Sequence, residues 1–364
     1  MEEDTLHIGA RVRPLYVDGE VLYAGRGLDV LKSHDGGDSF TWYGTCPGQG
    51  GERWLSRSRL ASRIGRLGIH AFRPLPTGGA VAVLRRRIVW CPPGGGPFQE
   101  VLRLNRGSRP LNMCLASSGQ LYFGEYFSNP SRKAVHVYGS EDGARWSIQY
   151  TFPAGAIRHV HNIVEDTYRD GFWVLTGDSD DESGLWFTND DFRTLDCLFS
   201  GSQRARAVSV IPMEKGLIVP TDTPREQNYI QFWEPGNGAL TELAPLPNSA
   251  FHAVRKQDLF IIATAAEPSP CNDSKFATVF VSSDGAQWHC LAEFERDWPM
   301  ARECHRFVNR ALGHPEVQLV PGRNETDYVF AFGRGIGAND GRLLRWAEEQ
   351  VITRLKQLTL QQAN

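Results

Sequence analysis

Short apolar runs recur along the chain, each bounded by Gly, Asp, Asn or Pro. They fall at 21–24, 80–84, 120–123, 172–175, 217–219, 259–263 and 328–332. Runs of this length, rich in β-branched and aromatic residues and closed by turn formers, read as β-strands. Stretches of helical period are scarce. Only 344–362 has a helix-friendly composition.

A turn motif punctuates these runs. It occurs at Ser33-His34-Asp35-Gly36-Gly37-Asp38-Ser39-Phe40, Ser140-Glu141-Asp142-Gly143-Ala144-Arg145-Trp146, Thr188-Asn189-Asp190-Asp191-Phe192 and Ser282-Ser283-Asp284-Gly285-Ala286-Gln287-Trp288. The common pattern is Ser/Thr-x-Asp, then Gly, then an aromatic, with Thr188 opening a degenerate copy. In such a turn the Asp accepts backbone amides, Gly supplies positive φ, and the aromatic enters the adjoining core. The copies start at 33, 140, 188 and 282, so they stand 107, 48 and 94 residues apart. A unit of about 50 residues fits these gaps. Two further hairpins are then expected near 90 and 235, where Trp90-Cys91-Pro92-Pro93-Gly94-Gly95 and Trp233-Glu234-Pro235-Gly236-Asn237-Gly238 stand. Another turn fits before Leu343. About seven units of four strands make an all-β fold, a single β-propeller domain over 1–364. Six blades with long insertions is the other arrangement.

Composition narrows the classes. Of 364 residues, 41% are hydrophobic and 22% charged, as in ordinary globular proteins. The net charge of -3 lacks the basic surplus that phosphate backbones attract, so no nucleic-acid partner is expected. No apolar run approaches the roughly 18 residues of a membrane span, so no membrane partner is expected. The acidic start Met1-Glu2-Glu3-Asp4 has no signal-peptide character, and a cytoplasmic location is expected. The protein is expected to be a monomer or small homo-oligomer. The 7 cysteines form no CxxC pair. That excludes a zinc knuckle or thioredoxin-like site and predicts free, buried thiols.

The Ser-x-Asp-x-Gly-x-Ser-Phe string at Ser33–Phe40 resembles the Asp-box, or bacterial neuraminidase repeat, of sialidase-like propellers. That family includes glycosidases, some polysaccharide lyases and non-enzymatic members. The resemblance implies the propeller fold, and a ligand site at the mouth of the central channel rather than at the turns themselves. Family enzymes use a Tyr assisted by a Glu as nucleophile. The family's Arg-Ile-Pro motif has only a poor counterpart here, Arg11-Val12-Arg13-Pro14.

Aligning the units places polar residues at equivalent points. First-strand starts carry His70, Arg109 with Asn112, Arg158-His159-Val160-His161, Arg204 with Arg206, His252, and His305-Arg306. Second-strand ends carry Arg26, Gly124-Glu125-Tyr126, Gly177-Asp178, Thr221-Asp222-Thr223 and Arg334. His159 and His161 are alternate strand residues, so they share a face. They can act in acid–base chemistry or ligate a divalent metal, with His252 as a third ligand and Ca²⁺ or Mn²⁺ as the ion. Arg158, Arg204, Arg206 and Arg334 suit carboxylates, because a guanidinium binds them bidentately. Glu125 and Tyr126 are adjacent and should point apart, so they cannot form the family's Tyr–Glu dyad within a regular strand. Asp178 begins an acidic loop to Ser183 that could offer hard oxygens to Ca²⁺ but lacks EF-hand spacing. Asp178 and Asp222 occupy matching positions facing the ligand.

These features predict a carbohydrate-active enzyme acting on an acidic, uronate- or sialate-containing oligosaccharide. Basic residues outnumber carboxylates at these points, which favours β-elimination over hydrolysis. The fold resemblance favours hydrolysis, and a propeller that only binds a glycan or protein is the remaining reading. Catalysis is expected from His159, His161, Tyr126, Glu125 and Asp178. Substrate contacts are expected from Arg158, Arg204, Arg206, Asp222, His70, Arg109, His252, His305 and Arg334.

Overall fold

The computed structural model describes residues 6–267, 269–272, 274–297 and 313–362. The chain divides into two compact units. One comprises Gly44–Gly48 and Ile69–Glu242, the other Met1–Tyr43, Gln49–Gly68 and Leu243–Asn364.

The unit containing Ile69–Glu242 holds four antiparallel sheets, each of four strands taken in chain order. The first is Ala71–Pro74, Ala80–Leu84, Arg87–Cys91 and Gln99–Arg103. The second is Cys114–Leu115, Leu121–Gly124, Val135–Ser140 and Ser147–Phe152. The third is Val160–Asp166, Gly171–Thr176, Gly184–Thr188 and Asp196–Ser200. The fourth is Ile211–Met213, Gly216–Pro220, Asn228–Trp233 and Leu240–Leu246, whose last strand runs on past the unit's end.

The other unit holds three such meanders. Its first is Arg13–Gly19, Val21–Arg26, Asp29–Ser33 and Thr41–Thr45, widened by Gly322–Asn324 on Val17–Gly19; Gly44–Thr45, which belong to the first unit, pair there with Gly96–Pro97. The next is Ala250–Lys256, Leu259–Thr264, Phe276–Ser282 and His289–Glu295. The last takes Glu316–Leu319, Tyr328–Arg334 and Leu343–Ala347, with Leu6–Ile8 as its fourth strand, Leu6 opposite Trp346. The fold is thus all-β, made of four-stranded propeller blades: six four-stranded sheets and the widened one among the described residues.

The seven apolar runs of the sequence are the second strands of these seven meanders. Ala80–Leu84, Gly216–Pro220 and Leu259–Thr264 are buried at every residue. A strand covered on both faces reads as a continuous apolar run rather than an alternation. Fourth strands such as Asp196–Ser200 are largely exposed. That position corrects the thiol expectation in part. Cys46, Cys91 and Cys114 are buried, but Cys197 and Cys290 lie exposed on fourth strands and Cys271 is exposed in a loop. None of these six forms a disulfide among the described residues, and Cys304 lies outside them.

The repeated turns join third to fourth strands and share one hydrogen-bond scheme. Ser33, Ser140 and Ser282 Oγ accept the amides of Gly37, Gly143 and Gly285 at 2.8–2.9 Å. The carboxylates of Asp35, Asp142 and Asp284 accept the amides that follow. In the degenerate copy, Thr188 Oγ1 accepts from Phe192, and Asp191 and Phe192 themselves take left-handed φ of 56° and 64° in place of glycine. Trp146 and Trp288 donate their indole N–H to Gly143 and Gly285 carbonyls. The hairpins expected near 90 and 235 are third-to-fourth connections as well. The turn before Leu343 is not. It joins second to third strand, because the fourth strand of that sheet comes from the N-terminal end.

Helices differ from expectation at both ends. Glu52–Leu55 and Arg59–Gly65 interrupt the strand pattern, the latter capped by Ser58 Oγ accepting from Ala61. The C-terminal helix is Glu348–Gln362, whereas Leu344–Ala347 pair as strand. Its Val351 and Leu355 pack with Leu344 and Trp346.

Replacing buried Ser282 with Ala leaves the Gly285 amide without its acceptor. Denaturant unfolding should read a loss of about 1–2 kcal/mol, and an unchanged midpoint would contradict the role given to the turn. The amides of Arg145 and Thr194 hold Asp142 and Asp190 below the usual carboxylate range. Their contribution is therefore present at neutral pH and disappears as pH falls through that range.

Candidate functional site

Successive blade ends of the unit containing Ile69–Glu242 bring a histidine pair, a carboxylate and two arginines together. Gly124 closes the second strand of one sheet against the first strand of the next. A Cβ there would stand 2.2 Å from Val160 Cβ, so only glycine permits the approach that lets the Val160 amide donate to the Glu125 carbonyl at 3.0 Å. The ladder between Val160–Asp166 and Gly171–Thr176 shifts register between Val160 and Asn162. His161 sits in that bulge, the usual place for a side chain to be re-aimed.

The two imidazoles lie with ring centroids 5.0 Å apart and Nε2 atoms 3.1 Å apart. His159 Nδ1 is 3.3 Å from the Phe127 carbonyl, and His161 Nδ1 is 2.9 Å from the Ala207 carbonyl. Asp178 has φ of 140°, a region L-residues rarely occupy. There its Oδ1 lies 3.4 Å from His159 Nε2 and 3.7 Å from His161 Nε2. Arg206, at the exit of the turn Gln203–Ala205, donates Nη1–H to the Asp178 carbonyl at 3.0 Å. Its Nη2 is 3.6 Å from Asp178 Oδ1 and its Nε is 3.5 Å from Asp222 Oδ2. Arg158 Nε faces Glu182 Oε1 at 3.2 Å, and its Nη1 is 4.0 Å from Asp178 Oδ2. The Tyr126 ring packs against His159 with centroids 4.4 Å apart.

Burial alone would raise the Asp178 carboxyl. The two imidazole edges beside it and the Arg206 charge outweigh it and hold the group well below the usual range. Burial, with the charges of Asp178 and Asp222, pushes the Tyr126 phenol up to about 12. Beside Tyr126 lies a cavity of about 390 Å³, whose walls include Arg106, Arg109, Phe123, Glu125 and Tyr138.

The structure thus gathers His159, His161, Tyr126, Asp178, Arg158, Arg206 and Asp222, with Arg109 close enough to bear on Tyr126. Other expected residues go elsewhere. Glu125 is clamped by Arg106 through Nε and Nη2 and accepts the His136 amide. That engagement sets Glu125 in the wall of the cavity beside Tyr126. Arg204 is taken by Gln231, the Leu240 carbonyl and Glu242 instead of a shared ligand. His70 is half-buried ahead of Ala71–Pro74, its amide on the Val83 carbonyl. His252 and Arg334, in the other unit, both bind buried Glu316. The third potential ligand beside the histidine pair is therefore Asp178, not His252. His305 lies outside the described residues.

The acidic loop is not an oxygen cage. Asp181 pairs with Arg132, Asp180 with Gln203, and Glu182 with Ser179, Arg132 and Arg158. Glu182 was read only as one acid of this loop, and Arg132, which holds it, lies in a distant part of the chain that no local pattern connects to the loop.

No family model matches the chain, and no curated protein matches it. Among solved structures, an ancestral GH74 enzyme aligns with TM-score 0.55 at 10% identity, over 89% of this chain and 44% of that one. A puromycin hydrolase variant aligns with TM-score 0.53 at 15% identity, over 91% and 54%. The computationally designed Ika8 protein aligns with TM-score 0.50 at 9% identity, over 93% and 97%. The shared feature is the β-propeller fold. At these identities the likeness carries fold and not activity, and the chain spans about half the length of the first two proteins.

Two outcomes test this geometry. A Cβ at Gly177 would come within 3.0 Å of His161 Cε1 and 3.3 Å of Arg206 Cγ. Gly177→Ala should therefore displace the His161 ring, read as a shift of its imidazole NMR signals, while the fold persists. In a phenolate absorbance titration, Tyr126→Phe should remove a group ionising near 12. The folded value lies above the ordinary 10.0, so this phenol lowers stability as pH rises between them. A Tyr126 signal near 10 would show that the ring is solvated.

Proposed function

We propose that the protein is a carbohydrate-active enzyme that cleaves an acidic oligosaccharide by β-elimination. The observation that carries this reading is the contrast between Tyr126 and its neighbours. Each histidine is held at Nδ1 by a backbone carbonyl and turns its Nε2 to Asp178 and the other ring. The Tyr126 hydroxyl makes no hydrogen bond among the described residues, yet its ring is fixed against His159. It is the hydroxyl the cluster leaves for a ligand.

In this reading Arg206 and Arg158 receive the uronate carboxylate and stabilise the charge that develops on it. The C5–H bond breaks, its electron pair forms the C4=C5 double bond, and the C4–O bond cleaves. The Tyr126 hydroxyl accepts the C5 proton as it gives its own to the leaving oxygen, so the residue ends unchanged. The cavity lined by Phe123, Tyr138 and Arg109 would seat the adjoining sugar. Hydrolysis by paired carboxylates fits less well. It needs one carboxyl kept protonated, whereas Asp178 is held ionised and Asp222 sits against the same guanidinium.

Incubation with a panel of uronate oligosaccharides should raise absorbance at about 235 nm, the mark of the unsaturated product, and Tyr126→Phe should lower kcat by about 10²–10⁴-fold. New reducing ends without that absorbance would replace elimination by hydrolysis. No turnover across the panel would make the protein a binding propeller.

A further inference from the structure

The two Nε2 atoms of His159 and His161 face one another at 3.1 Å, and Asp178 Oδ1 faces both. Each Nδ1 points at a backbone carbonyl, which accepts only from N–H. A ring that donates through Nδ1 presents a lone pair at Nε2 in its neutral form. Two lone pairs and a carboxylate oxygen at these distances repel unless a cation lies among them. A carbonyl holding Nδ1–H while Nε2 points inward is also the outer-shell pattern of metal-bound histidine.

The distances suit a metal. Two nitrogens each about 2.1 Å from one ion stand about 3.0–3.4 Å apart at tetrahedral or octahedral angles. The observed 3.1 Å lies within that range, and the carboxylate oxygen lies at and just beyond its edge. Arg206 lies 3.5 Å from Asp222 and 3.6 Å from Asp178, so one guanidinium is shared between two carboxylates. Asp222 adds a second sign. Its Oδ1 is buried and accepts no hydrogen bond among the described residues, as expected of an acceptor meant for a ligand hydroxyl or metal-bound water.

We propose that His159, His161 and Asp178 hold a divalent first-row transition-metal ion through two imidazole nitrogens and one carboxylate oxygen, and that the ion's open positions join Arg206 and Arg158 in receiving the substrate's carboxylate. The second half rests on the elimination reading above; the first does not. Two imidazoles with one carboxylate is a donor set for Zn²⁺, Fe²⁺ or Mn²⁺ rather than Ca²⁺, which takes an all-oxygen shell. Of the two ions considered from sequence, Mn²⁺ remains.

The test uses the full chain, stripped with chelator and titrated with Zn²⁺, Mn²⁺ and Co²⁺ in the absence of any sugar. One ion per chain should bind, the Co²⁺ form should show ligand-field bands of nitrogen–oxygen coordination, and His161→Ala and Asp178→Asn should each weaken binding by about 100-fold. Circular dichroism of each variant separates lost ligation from lost folding. Should either variant fail to fold, His159→Gln takes its place. Stoichiometric binding that survives in a folded variant would overturn the site, as would no binding to the wild type. Full 235 nm activity in stripped protein would overturn the ion's part in receiving the carboxylate while leaving the elimination reading intact. Metal bound as described with no elimination would overturn that reading and leave the metal site standing.

Discussion

A carboxylate taken out of water must be met by donors or cations, and Asp178 is the point where that requirement shapes the site. Its backbone is held at φ of 140°, a conformation that persists only where the surroundings fix it. The Arg206 guanidinium does so by gripping the Asp178 carbonyl at 3.0 Å. The side chain then reaches the two histidines, and Arg206 turns its other edge to Asp222. Asp178 thereby links the first strand of one sheet to the segment entering the next, and Tyr126 is set in place through His159.

That convergence depends on blades that are stiff at their second strands and tied at their distal turns. Three of the second strands, Ala80–Leu84, Gly216–Pro220 and Leu259–Thr264, are buried at every residue. Gly124 allows the neighbouring strand to come close enough that the Glu125 carbonyl takes the Val160 amide. His159 and His161 flank that bonded residue. The bulge at His161 turns its ring to the Ala207 carbonyl, and the same carbonyl fixes which ring nitrogen faces Asp178.

Much of this was legible in the chain. Hydrophobic runs identified every second strand, because burial on both faces leaves an unbroken apolar signature. The Ser/Thr-x-Asp turns fixed the repeat, because their hydrogen bonds are local. His159, His161 and Asp178 were legible as positions on equivalent blade ends. Partner choice was not. Repeat alignment gives a residue's height on its blade but not the side chain it meets, so Arg204, His252 and Arg334 were assigned to a ligand although neighbouring acceptors hold them. Glu125 was lost to Arg106, a residue 19 positions earlier that no local pattern connects to it. The pairing of Leu6–Ile8 with Leu343–Ala347 joins the two ends of the chain, beyond the reach of any window. Glu52–Leu55 and Arg59–Gly65 are too short for a helical period to register.

The account stands or falls on whether a ligand carboxylate is received at the Asp178 cluster. A crystal structure of the protein soaked with a uronate disaccharide measures this directly. The account predicts the carboxylate beside Arg206 and Arg158, with the sugar ring within hydrogen-bond reach of the Tyr126 hydroxyl. Ligand bound elsewhere on the blades, with His159, His161 and Asp178 left to one another, would contradict it.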